Sequence, residues 1–158
     1  MHGQKYITVY TDGSCNPLHK VGGWAALILI QDQKIILKGK EVNTTHQRME
    51  LLAVLKALEY LQQEQMLAHP INICADSQYA IDIQKKRPAL ESNDFLTKKG
   101  HPVRNDDLVR QIIPFFDIAT IEFTKVASHQ KLTETENLNR EADKLARAIV
   151  RDHIRQSK

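Results

Sequence analysis

The sequence predicts one α/β domain (α+β in the order of its parts), with a mixed sheet. Three observations carry this expectation. Segments of period two joined by short turns fill residues 5–42, the apolar period changes to 3.6 at residue 45, and a short apolar strand returns at 71–75 after one long helix. A meander followed by a strand–helix–strand crossover gives a sheet that is antiparallel on one side and parallel on the other. The 158 residues, 42% hydrophobic and 26% charged, suffice for one core, so a single domain over 1–158 is expected. Six glycines and five prolines exclude a collagen-like chain and count against a disordered one.

Lys5 to Thr11 is rich in β-branched and aromatic residues and runs into Asp12-Gly13-Ser14, which reads as a strand closed by an aspartate at a turn. Gly22-Gly23 opens a second strand to about Ile30, Asp32-Gln33 offers a turn, and Ile35 to Val42 supplies a third strand. Thr44-Thr45-His46-Gln47 reads as a capping box for a helix over about 45–65, with Leu51, Val54, Leu55, Leu58 and Leu61 on one side. Glu50 falls on the flank of that stripe and points toward the protein, whereas Glu59 and Glu64 project away. Ile71 to Ala75 is a strand ending in Asp76-Ser77, and Gln78 to about Lys85 is a short helix stopped before Pro88.

Residues 88–104 read as a basic loop. Asn105 is the expected N-cap of a helix to about Pro114, with Asp106 and Asp107 as first-turn acids favoured by the helix dipole. Ile121 to Val126 makes a fifth strand. A polar stretch with His129 leads to a final helix from roughly Glu136, whose apolar positions are Leu138, Ala142, Leu145 and Ile149. Asp143 lies one residue off that face, and Asn139 one turn before it.

Composition narrows the function classes. The longest apolar run, Trp24 to Ile30, is seven residues, far below the roughly 20 of a membrane helix, so no membrane partner is expected. No apolar signal core follows Met1, which disfavours secretion. Cys15 and Cys74 form no C-x-x-C pair, so a reducing, cytoplasmic setting is expected. The net charge of +3 is too small to announce a polyanion partner, but Lys85, Lys86, Arg87, Lys98, Lys99 and Arg104 outweigh Glu91 and Asp94 within 85–104. No oligomerisation signal is visible, and a monomer is expected.

With strand 4 beside strand 1, Asp12 and Asp76 become neighbours at adjacent strand ends, and Glu50 covers them from the helix. Asp143 is a plausible fourth acid. Carboxylates brought this close repel, so they call for shared protons or bound cations. All-oxygen donors suit Mg²⁺ or Mn²⁺, and two such ions can activate a water and stabilise a leaving oxygen in phosphodiester cleavage. Strand-end aspartates are also common as plain turn residues.

Tyr10-Thr11-Asp12-Gly13-Ser14-Cys15, Gly22-Gly23-Trp24, Arg48-Met49-Glu50-Leu51, Asp76-Ser77-Gln78-Tyr79 and the run from Asn139 to Arg147 stand in one order. Together the five pieces resemble the type 1 ribonuclease H family over about residues 5–150. The resemblance implies a five-stranded mixed sheet in the order 3-2-1-4-5, with strands 1 to 3 antiparallel and helices packed around it. It implies endonucleolytic cleavage of the RNA strand of RNA–DNA hybrids, leaving 5′-phosphate and 3′-hydroxyl ends. Asp12, Glu50, Asp76 and Asp143 match the family's metal carboxylates, for two Mg²⁺ ions or Mn²⁺ in their place. His129 matches the histidine of a flexible loop that assists proton movement or product departure.

By the same resemblance, the backbone near Cys15, Glu50 and the Ser77-Gln78 pair read the RNA 2′-hydroxyls. Thr45 and Arg48 face the DNA phosphates, and Gln47 keeps a donor where the family often has asparagine. Asn139 belongs to the same substrate-facing set, and Lys85, Lys86, Lys98 and Lys99 to a modified hybrid-binding protrusion at 85–104. Here the sequence departs from the family: Asn16 to Val21 replaces a glycine-rich loop, His46-Gln47 an asparagine pair, and Phe95 is the single aromatic of a segment elsewhere rich in tryptophan. Thirteen residues separate His129 from Asp143, more than in many bacterial members. A non-catalytic hybrid-binding module would lack a carboxylate, and none is missing. A haloacid dehalogenase-type phosphatase needs an aspartate at position 14, where serine stands. A related nuclease-fold enzyme acting on DNA is the remaining alternative.

Overall fold

The computed structural model describes residues 6–126 and 134–157, with the backbone alone for 134–137. Its strands are β1 (Ile7–Asn16), β2 (Val21–Ile30), β3 (Gln33–Val42), β4 (Ile71–Ala75) and β5 (Ile121–Lys125). Its helices are α1 (His46–Gln63), α2 (Gln78–Ser92), α3 (Asp106–Ile112), α4 (Phe115–Ile118) and α5 (Glu134–Gln156). The five strands form one sheet in the order β3-β2-β1-β4-β5. β1, β2 and β3 pair antiparallel, whereas β1–β4 and β4–β5 pair parallel, as the meander and crossover require.

Both faces of the sheet are covered. Ile7, Val9, Trp24 and Ile28 face the helices α1 to α3, with Leu51, Leu58 and Leu61 of α1 fully buried against them. Tyr10, Ala25, Leu27 and Cys74 face α5, which seats Ala142 and Ala146 on them. The alternation along β1 and β2 is the period of a strand with two apolar faces.

Four local readings are corrected. β1 does not end at Asp12: its pairing with β2 continues to Asn16 opposite Val21, and the turn falls at 17–20. Its parallel pairing with β4 stops at Tyr10 opposite Cys74, so Asp12 lies mid-strand to one neighbour and beyond the strand end to the other. Pro88 lies inside α2. Arg87 braces the helix there, donating to Glu91 one turn on at 2.6 Å and gripping Asp117 with two bonds of 2.8 and 2.7 Å. The N-cap of α1 is Thr45, whose hydroxyl accepts from the Arg48 N–H at 3.2 Å. The third helical residue is therefore Arg48, not Gln47, and no reciprocal capping box forms. Asn105 precedes α3 in a left-handed conformation (φ 61°) without capping it, because its side chain turns to Arg48.

The segment 85–104 is accordingly part helix and part hairpin. Lys85 and Lys86 lie on α2, and Lys98 and Lys99 in a turn closed by a bridge between Leu96 and Pro102. Arg110 stacks 4.4 Å over the Phe95 ring at its base. Among the described residues, no helix is long and apolar enough to cross a membrane.

Three glycines set how closely the helices approach. A Cβ on Gly13 would stand 2.7 Å from the Glu50 nitrogen, and one on Gly22 would stand 2.6 Å from Met49 Cγ, so α1 sits on bare strand backbone. Gly23, on the opposite face, would meet the Ala146 carbonyl at 2.5 Å and admits α5 in the same way. Gly13→Ala is expected to lower unfolding free energy by about 1–3 kcal/mol, the ordinary cost of overpacking, and to weaken divalent-cation binding because it displaces the turn that holds Glu50. Urea unfolding and metal calorimetry check both effects; unchanged values would show that α1 does not depend on this approach.

Candidate metal and active centre

Each carboxylate arrives from a different element. Asp12 projects from β1 toward the α5 side, Asp76 follows the last residue of β4, Glu50 comes from the first turns of α1, and Asp143 from α5. One carboxylate oxygen from each of Asp12, Glu50 and Asp76 lies within 4.8 Å of the other two. Asp143 stands close enough for its charge to raise the Asp12 carboxyl, and its Oδ1 forms an ion pair with Arg147 Nε at 3.1 Å. Asp12 and Glu50 are only 5% and 1% exposed, whereas Asp76 is open to solvent, so the cluster has a dry wall and a wet mouth.

The electrostatics follow from this crowding. Burial, then the charges of Asp12 and Asp76, pushes the Glu50 carboxyl up to about 10. Burial, then Asp76, pushes Asp12 up to about 7, against the single opposing effect of the Gly13 N–H donating to Asp12 Oδ1 at 2.9 Å. Among the described residues, neither buried Glu50 oxygen has a hydrogen-bond partner in good alignment. Three converging carboxylates, one of which has neither oxygen satisfied by an aligned partner, fit a hard divalent cation better than they fit one another.

The residues matched to substrate binding are spread over β1, α1, α2, α5 and the 85–104 segment. Cys15 and Thr45 line a cleft of about 470 Å³ with Lys20, Asn43, Thr44 and His46. The Cys15 thiol donates weakly to the Thr44 carbonyl (3.6 Å), and burial raises its pKa. Ser77 caps α2 by accepting from the Ala80 N–H. Gln78 receives the Lys125 ammonium at 2.8 Å and donates to Asp82. Gln47 is half-buried on α1, and Asn139 is half-buried one turn before Asp143 with its carbonyl oxygen unpartnered. Lys85, Lys86, Lys98 and Lys99 are exposed on the protrusion. His129 lies outside the described residues.

Two features were not anticipated. Arg48 grips Asp107 through two bonds of 2.9 and 2.7 Å and donates to Asn105 at 3.3 Å, tying the start of α1 to the start of α3. Asp107 does stand in the first turn of α3, as expected for a helix-dipole acid, and it is also the partner of Arg48, whose hydrogen bonds hold its carboxyl below the usual range. No local spacing could have revealed a pair 59 residues apart. His46 could have been found: it stands four residues before Glu50, and its Nε2 lies 3.3 Å from Glu50 Oε1, though not aligned for a hydrogen bond.

The RNase H family matches residues 4–151. The chain is 34% identical to the Ribonuclease H of Moorella thermoacetica over 148 residues, covering 92% of each. It is 31% identical to the Ribonuclease H of Caldicellulosiruptor saccharolyticus over 150 residues, 94% of this chain and 98% of that one. Among solved structures, a type 1 RNase H with the type 2 active-site motif superposes with a TM-score of 0.76 at 20% identity, covering 94% of this chain and 73% of the other. The Prototype Foamy Virus protease-reverse transcriptase gives 0.74 at 22% identity over 92% of this chain, which spans 21% of that polyprotein. These two likenesses establish the fold.

The raised carboxyls fix the sign of a pH effect. Between its ordinary value and about 10, Glu50 binds more proton in the folded than in the unfolded state, so its contribution to stability falls as pH rises through that window. Asp12 acts likewise from its ordinary value to about 7. In EDTA, Glu50→Gln is expected to raise Tm by several degrees at pH 8 and to leave it nearly unchanged at pH 4, at roughly 2–4 °C per kcal/mol for a chain of this length. Scanning calorimetry at the two pH values measures this; a loss of Tm at pH 8 would mean that the ionised carboxylate is stabilised within the metal-free protein.

Proposed function

Because the chain belongs to the RNase H family and is a ribonuclease H enzyme, we propose that it cleaves the RNA strand of RNA–DNA hybrids endonucleolytically, leaving 5′-phosphate and 3′-hydroxyl ends. The observation that carries this reading is the convergence of Asp12, Glu50 and Asp76 from three elements, with Asp143 beside them. The four would hold two divalent ions, Mg²⁺ or Mn²⁺ in its place. When bound, the ions supply Lewis-acid stabilisation of the charge that builds on the scissile phosphate and lower the pKa of an attacking water.

The chain's own residues prepare that site. The Gly13 N–H aims the Asp12 carboxyl and Arg147 aims that of Asp143, which limits reorganisation on cation entry. The buried wall formed by Glu50 and Asp12 keeps water from one side, while exposed Asp76 leaves the other side open to a phosphodiester. Ser77, Gln78 and the backbone at Cys15 would read the 2′-hydroxyls, and the cleft lined by Cys15 and Thr45 would receive the DNA strand. Since Arg48 already grips Asp107, a DNA phosphate would reach it only by sharing or displacing that carboxylate. His129 is proposed to assist proton movement or product departure. The cellular setting proposed is the reducing cytoplasm, in keeping with free Cys15 and Cys74, and the enzyme is proposed to act as a monomer.

Asp12→Asn is expected to abolish Mg²⁺-dependent cleavage of a labelled RNA–DNA hybrid, with the circular dichroism of the fold retained, since charge is lost but little volume. Wild-type turnover in this variant would overturn the metal assignment. The same assay on duplex DNA, duplex RNA and single strands separates a hybrid-specific enzyme from one acting on DNA. Neutralising Lys85, Lys86, Lys98 and Lys99 together is expected to weaken hybrid affinity and flatten its salt dependence while turnover at saturation changes little. An unchanged salt slope would reduce the protrusion to a solvated loop.

A further inference from the structure

The final helix carries a charge pattern of which the proposed chemistry uses only Arg147. Arg140, Lys144, Arg147, Arg151 and Arg155 recur at spacings of four, three, four and four along α5. At about 100° per residue they fall within an arc of about 80°, and at ~1.5 Å per residue they form a ridge roughly 22 Å long. All five are exposed. Without them the formal charge of the chain would be −2 instead of +3.

The acids nearby do not cancel the ridge. Glu141 is taken by Lys34 of β3 at 2.8 Å, and Asp152, three residues before Arg155, makes no ion pair with it among the described residues. Arg147 pairs with Asp143, whereas Lys144, Arg151 and Arg155 make no ion pair among the described residues. At the far end Lys40 adds a cation, with its ammonium 3.1 Å from His153 Nδ1. The apolar face of the helix is already docked on the sheet through Ala142, Ala146 and Val150, so α5 has nothing to insert into a lipid surface. The ridge begins one turn from Asp143, where a phosphodiester would lie, and four of its five members are guanidinium groups suited to phosphate.

We propose that the outer face of α5 is a second nucleic-acid-binding surface, which takes the phosphate backbone of the hybrid where it leaves the cleavage site. This rests on the hybrid-cleaving reading above and extends it. Apart from Arg147, which also restrains Asp143, the ridge would add affinity for long substrates and nothing to bond cleavage itself.

The test titrates a fluorescent RNA–DNA hybrid of about 20 base pairs, far longer than the ridge at ~3.4 Å per step, in EDTA over a range of salt. The combined variant Lys144→Gln, Arg151→Gln, Arg155→Gln is expected to raise Kd roughly tenfold near 0.1 M salt and to reduce the salt slope by about 2–3. Arg151→Glu with Arg155→Glu should weaken binding further, while a hybrid of about 6 base pairs should bind wild type and variants alike. Turnover at saturating long hybrid with Mg²⁺ should be unchanged. An unaltered slope on the long hybrid would overturn the proposal. So would ridge-dependent binding to phosphatidylserine vesicles with hybrid affinity intact. The titration needs no metal and no catalysis, so an enzyme that failed to cleave hybrids would count against the reading above and would still report the slope.

Discussion

Forcing like charges together in a place that water reaches from one side only is the constraint around which this molecule is arranged. An ionised carboxylate taken out of water without a counter-ion costs several kcal/mol, and a whole domain is stable by only about 5–15. Asp12 and Glu50 are both buried, and they face each other. The fold must hold them there against a penalty of burial and repulsion that their raised proton affinity only partly relieves, and it does so by fixing the backbone on every side. Asp12 is paired to β2 through its own position and beyond, while Glu50 stands in the second turn of a helix whose apolar face is fully buried.

Arg48, two residues before Glu50, adds a second restraint by tying that turn to α3. The glycines make the first restraint possible, because α1 and α5 can bring acids to one spot from opposite faces only if the strands between them are bare. The result is a site whose geometry belongs to the scaffold and whose charge is left for a cation to neutralise.

The sheet was legible because its periods are clean: the meander, the crossover and the inward lean of Glu50 all follow from spacing alone. Asp12 and Asp76 could be placed near each other for the same reason, although Asp12 proved to lie within β1. A local reading could not know that one edge of a strand continues where the other stops. Pro88 misled because a helix can carry proline when distant partners, here Asp117 beside Arg87, hold the turn. Arg48 with Asp107, and Asn105 turned away from its helix, depend on tertiary pairing that leaves no periodic trace. Asp143 needed the resemblance as well as the helix pattern, since on spacing alone it was one polar residue beside an apolar stripe.

The order of the four acids along the chain carries one more consequence. Asp12, Glu50 and Asp76 precede the last helix, whereas Asp143 comes with it and seats through Gly23 on the face opposite α1. A polypeptide leaving the ribosome N-terminus first exposes three of the acids long before the fourth. The full set of acids therefore comes together only once α5 has emerged and docked on the sheet.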